Sequence, residues 1–115
     1  MPSELQRIGS RGETVVSRIL RRAGYAVTRH PKSYGVFDLI AVKPGKVIAV
    51  QVKSRAAIRG APLRPYALHK TLLDEPLPDG NACRLWWIYI PKREVHVVSE
   101  VIPTGFRPFD PVTIV

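Results

Sequence analysis

Four side chains have types and spacings that suit them to chemistry: Glu13, Asp38, Gln51 and Lys53. Asp38 interrupts the apolar stretch VFDLIAV at residues 36–42. An ionised carboxylate buried in such a strand is costly unless a cation or hydrogen bonds compensate it. Gln51 and Lys53 interrupt a second stretch, VIAVQVKS at residues 47–54. There the two-residue period of a strand sets Ala49, Gln51 and Lys53 on one face and Ile48, Val50 and Val52 on the other. Glu13 stands three residues before Val16, seven before Leu20 and ten before Ala23. At helical spacing it extends their apolar stripe, so its carboxylate is expected to face the sheet.

Two readings fit these four residues. In one, two carboxylate oxygens and an amide oxygen make a hard-oxygen site for Mg²⁺, with Mn²⁺ as a possible substitute. Lys53 then holds a water or offsets charge on a scissile phosphate, the setting of metal-assisted phosphodiester hydrolysis. In the other, Asp38 and Lys53 form a partly buried ion pair with Gln51 hydrogen-bonded nearby. Hairpin geometry bears on both. A turn centred between Pro44 and Gly45 sets Asp38 opposite Gln51, with Cβ atoms roughly 4.5–5.5 Å apart and Lys53 on the diagonal. Pro-Gly is not the favoured two-residue hairpin turn, and a slip of one residue would send Asp38 to the other face.

The elements that must position these residues follow from periodicity. Residues 10–24 read as a helix with Val16, Ile19, Leu20 and Ala23 as its apolar stripe and Gly24 as its stop. Residues 25–29 read as a short strand and 30–35 as a polar loop. Residues 36–42 and 47–53 read as two strands joined through KPGK. The segment 55–82 is rich in Pro and Gly, with a short helix expected over 66–75. Residues 84–90 (RLWWIYI) form a buried strand, with 94–98 paired to it through a Pro91-Lys92-Arg93 turn. The tail from Pro103 reads as Pro-rich chain. The expected fold is a single α/β (α+β) domain over residues 1–115, its central mixed sheet of about five strands flanked by helices.

Composition narrows the partner. Eighteen Lys and Arg against nine Asp and Glu leave a net charge of +9 and a pI near 10.3, a balance that points to a polyanion. No apolar run approaches the roughly 18–20 residues that span a bilayer, and the start of the chain has no apolar signal core. DNA is therefore expected in preference to a membrane. The lone Cys83 excludes an internal disulfide, and no Cys/His cluster has zinc spacing. An intracellular setting is compatible with that.

The motifs Gly12-Glu13, SYGVFDLIA at residues 33–41 and VQVK at residues 50–53 resemble the nuclease core of PD-(D/E)XK enzymes. They are most similar to the archaeal-type Holliday junction resolvases, over roughly residues 7–54. The resemblance implies a restriction-endonuclease-like core, a structure-selective DNA endonuclease that cuts four-way junctions, and a homodimer that brings two sites to two strands. By position it makes Glu13, Asp38 and Gln51 the metal ligands, Lys53 the catalytic lysine and Ser33 a loop serine that takes part in catalysis. Arg29 matches a basic residue that touches DNA. Gln51 departs from the family, which usually has glutamate there, so metal affinity should fall. Mrr-like nucleases commonly carry Gln-x-Lys, which keeps open a nuclease acting on ordinary duplex DNA. A degenerate fold that only holds branched DNA is a further alternative.

Arg7, Arg11, Arg29, Lys32 and Arg55 are read as phosphate contacts. Arg18, Arg21 and Arg22 are read either as contacts or as the solvated face of the helix. His30, His69 and His96 are too scattered for a metal triad. Trp86 and Trp87 fall on opposite faces of one strand, and Phe106 and Phe109 are candidates for a self-association surface.

Overall fold

The computed structural model describes residues 4–29, 37–54, 66–77, 82–92 and 94–110, with the backbone but not the side chains of 4–11 and 66. Helix α1 (Glu4–Arg22) leads into β1 (Ala26–Arg29), β2 (Leu39–Lys43) and β3 (Lys46–Ser54). A 3₁₀ turn (Tyr66–Leu68) and the short helix α2 (His69–Asp74) precede β4 (Cys83–Ile90), β5 (Val95–Ile102) and β6 (Gly105–Phe109).

All six strands form one sheet in chain order. Only the β3–β4 pairing is parallel, so the sheet is mixed and the fold is α+β. The sheet has one strand more than expected. The Pro-rich tail pairs with β5, and it tolerates Pro108 because β6 lies at the sheet edge, where a missing N–H breaks no inner ladder. Of the two phenylalanines expected at a self-association surface, Phe106 is instead part of the core. It is 9% exposed, and Phe109 packs against the opposite cluster.

Each face of the sheet carries its own core. Val16 and Leu20 of α1 pack on Leu39, Val50, Val52 and Trp87. On the other face Leu72 of α2 packs with Phe37, Ala49, Trp86 and Ile88. The two tryptophans thus divide between the faces as the strand period requires. Trp87 donates from Nε1 to His96 Nδ1 at 2.9 Å.

Helix α1 starts at Glu4, well before the expected Ser10, and it stops where expected. Gly24 has φ +96°, while the Gly24 N–H donates to the Arg21 carbonyl and the Tyr25 N–H to the Leu20 carbonyl. This is the paired bonding of a glycine C-cap. Among the described residues no helix is long and apolar enough to cross a membrane.

Candidate metal and nuclease site

The β2–β3 hairpin fixes the geometry. Its ladder runs from Lys43↔Lys46 to Leu39↔Val50 without a bulge, in the register expected from a turn centred on Pro44-Gly45. Gly45 takes φ +79°, the value a type II turn with proline at its second position needs. The ladder ends one residue before Asp38, so Asp38 does not pair with Gln51. Its N–H donates to the Val50 carbonyl at 2.9 Å, and its Oδ2 accepts from the Val52 N–H at 3.0 Å. In an antiparallel ladder that Val52 N–H would otherwise bond the Phe37 carbonyl. The carboxylate therefore replaces a rung of the sheet and is fixed at the point where β2 and β3 part.

Glu13 reaches the same region because α1 lies unusually close to the end of β3. A Cβ on Gly12 would overlap Ser54 Oγ and come within 3.3 Å of Val52 Cγ1. Glycine accommodates that approach without displacing Ser54, and the next residue along the helix is Glu13. Its carboxyl is half-buried, and burial raises its pKa first. The charge of Asp38 raises it further, and Arg29 lowers it. Asp38 is also raised, chiefly by burial, against the opposing effects of the Val52 hydrogen bond and of Lys53. Among the described residues Asp38 and Lys53 make no direct ion pair. The buried-pair reading of the sequence thus lacks its central contact among the described residues.

Gln51 and Lys53 are half-buried on β3. Alternation puts them on the face of Ala49, across the strand from the helix that carries Glu13. The Gln51 Oε1 atom is buried with no hydrogen-bond partner among the described residues, an omission that normally costs on the order of 1–3 kcal/mol. Beside it, Trp86 pairs with Gln51 across the parallel β3–β4 ladder and has an equally unpartnered indole N–H. Sequence reading missed this neighbour, because the parallel pairing crosses the weakly patterned segment 55–82.

No three His, Cys, Asp or Glu side chains gather at one place among the described residues. A cation site here would draw on the Glu13 and Asp38 carboxylates, with Gln51 on the face of β3 away from α1. That donor set suits Mg²⁺ or Mn²⁺ and not zinc. The other polar groups are otherwise engaged. His69 bonds the Ile102 carbonyl at 2.7 Å and His96 bonds Trp87. Burial pushes the Cys83 thiol up to about 12, so it is protonated and not nucleophilic at neutral pH.

Of the expected DNA contacts, Arg29 is exposed at the end of β1 and donates from Nη2 to Thr14 Oγ1 at 2.9 Å. Arg7 and Arg11 lie on α1, with side chains outside the described residues. Ser33, Lys32, Arg55 and His30 also lie outside the described residues.

A model of the archaeal Holliday junction resolvase (Hjc) family matches residues 4–62, just over half of the 115 residues. The matched span runs from the start of α1 past β3 and contains every candidate site residue named above. No curated protein matches the chain.

Proposed function

The chain belongs to the archaeal Holliday junction resolvase family, whose members act on branched DNA, and from that membership we propose that it is a Mg²⁺-dependent, structure-selective DNA endonuclease that hydrolyses phosphodiester bonds in four-way junctions. In this reading Glu13, Asp38 and Gln51 hold the cation, with Mn²⁺ as a substitute. The observation that carries it is the pairing of two half-buried carboxyls, Glu13 and Asp38, close enough that the charge of Asp38 raises the pKa of Glu13.

Each residue has its own task. Asp38 is held by the Val52 N–H, so its second oxygen keeps one direction. Gly12 admits the close helix approach that brings Glu13 to the strand end. Gln51 offers a neutral oxygen. Lys53, close enough to Asp38 to lower its pKa, is the group that offsets charge on the scissile phosphate or orients the attacking water. A bound divalent ion would supply the remaining charge for the pentavalent phosphate and acidify the water. Ser33 is assigned to the same site, and Arg7, Arg11, Arg29, Lys32 and Arg55 to phosphates of the arms. A homodimer fits the task, since a junction is resolved by two symmetric cuts and two-fold symmetry supplies two sites. An intracellular setting accompanies a DNA substrate.

The test is strand scission of a synthetic four-way junction and of linear duplex, each with Mg²⁺ and with chelator. Junction-selective cutting that chelator abolishes is expected. Equal cutting of linear duplex would favour the Mrr-like alternative, and junction binding without any scission would mark a degenerate binding module.

A further inference from the structure

The C-terminal half of α1 and the edge strand β1 bound an open groove of about 340 Å³, lined by Thr14, Ser17, Arg18, Arg21, Arg22 and Arg29. Four of these six side chains are guanidinium groups. Two of them already span the groove from one element to the other. Arg29 bonds Thr14 Oγ1, and Arg21 Nη2 donates to the Val27 carbonyl at 3.4 Å. Each guanidinium carries five N–H donors, so most remain unused.

Arg18 and Arg22 are exposed and have no ion pair among the described residues. They stand four apart on one helix, where like charges repel. Between these groups lies Ser17, 2% exposed, whose hydroxyl has no hydrogen-bond partner among the described residues. A serine in mid-helix commonly bonds the carbonyl four residues back. This one does not, and it lines the groove. A tetrahedral oxyanion would satisfy both the excess of donors and the orphaned hydroxyl, and planar guanidinium forks match its oxygens in pairs.

We propose that this groove binds a backbone phosphate of DNA, at a position separate from the scissile phosphate. The inference rests on the nuclease reading above and extends it. Glu13 and Arg21 lie on the same helix, about 12 Å apart along its axis at 1.5 Å per residue. That is short enough for two phosphates of one strand to reach both ends. A strand that runs along α1 with its scissile phosphate at Glu13 and Asp38 then has a second phosphate, a few nucleotides away, over the groove. Arg21 and Arg22 also suit the helix C-terminus, where cations are favoured. Arg18 is a turn earlier and gains nothing there, so it separates the two explanations.

The experiment uses the full chain and four-way junctions carrying single methylphosphonates, each of which deletes one backbone charge. The parent is compared with Arg18→Ala, Arg18→Ala/Arg22→Ala and Ser17→Ala for junction affinity across a salt series and for thermal unfolding without DNA. One methylphosphonate, within a few nucleotides of the cut, should weaken parent binding several-fold and weaken the double variant no further. The double variant should also lower the salt slope by about one to two. The melting temperature of Arg18→Ala should not fall. Junction affinity and salt slope equal to the parent's, or a variant still sensitive to that methylphosphonate, would overturn the groove while leaving junction cleavage by the parent intact. A parent that neither binds nor cuts the junction would instead overturn the nuclease reading and the groove with it.

Discussion

Asp38 decides between the two uses of its neighbourhood. Burial is the largest influence on its carboxyl and raises its pKa above the ordinary 3.8. The folded, metal-free protein therefore binds that proton more tightly than the unfolded chain does. The stability this contributes is present below pH 3.8 and is lost as pH rises through the raised value. Asp38→Asn removes the loss and can still accept the Val52 N–H through Oδ1. We expect its melting temperature without metal to exceed the parent's, by a margin that opens as pH climbs from below 4 to neutrality, while junction cleavage falls by about 100-fold or more. A lower melting temperature with undiminished nicking would return Asp38 to a structural role. Gln51 carries the complementary prediction. Gln51→Glu adds a third carboxyl, so it should lower stability without metal, tighten Mg²⁺ binding and reduce the Mg²⁺ concentration for half-maximal cleavage. An unchanged Mg²⁺ titration would remove Gln51 from the ligand set. The residue types at this site were legible in the sequence, because a charge inside an apolar strand stands out. The hook of Asp38 onto Val50 and Val52 was not, since it depends on where the ladder stops.

At the scale of elements, the close packing of α1 on β3 is the weak point of the site. Gly12→Ala places a methyl group against Ser54 and Val52 Cγ1; the Ser54 hydroxyl can rotate away, and the remaining tight contacts are expected to ease by a slight outward shift of the helix. Overpacking of this kind costs about 1–3 kcal/mol. The shift also withdraws Glu13 from Asp38, so Gly12→Ala is expected to lose more cleavage than stability. Comparing single-turnover cleavage with thermal unfolding for Gly12→Ala and Val52→Ala tests this. If both variants lose activity only in proportion to stability, the approach at Gly12 has no special role. The hairpin register was legible because a two-residue turn leaves the pairing little freedom, and Gly45 in its left-handed conformation completes that turn. The sixth strand was not legible. Two prolines and a short length hid Gly105–Phe109, and its pairing to β5 depends on the edge position, which no local pattern encodes. The start of α1 at Glu4 escaped for a different reason. Leu5 and Ile8 continue the apolar stripe toward the N-terminus at helical spacing, a signal that a start at Ser10 leaves unused.

For the whole molecule, the net charge of +9 and the candidate cation site make separable demands on solution conditions. Arginine and lysine meet phosphates without a metal, whereas two half-buried carboxyls have no work to do on a phosphate without one. Binding and scission should therefore part company in chelator, with junction affinity kept and cleavage lost. Salt acts on the other half. Each phosphate neutralised releases condensed counterions, so contact with six to eight phosphates gives log K against log salt a slope on the order of −5 to −7. Raising salt from low to physiological levels should then weaken binding by several orders of magnitude, while the rate at saturating enzyme, where every junction is occupied, changes little. Affinity measured in chelator across a salt series, beside single-turnover cleavage in Mg²⁺ at saturation, reads the two separately. A slope near zero would show that the excess charge does not serve nucleic acid. Cleavage undiminished by chelator would show that the carboxyls at the end of β2 and β3 serve some other purpose.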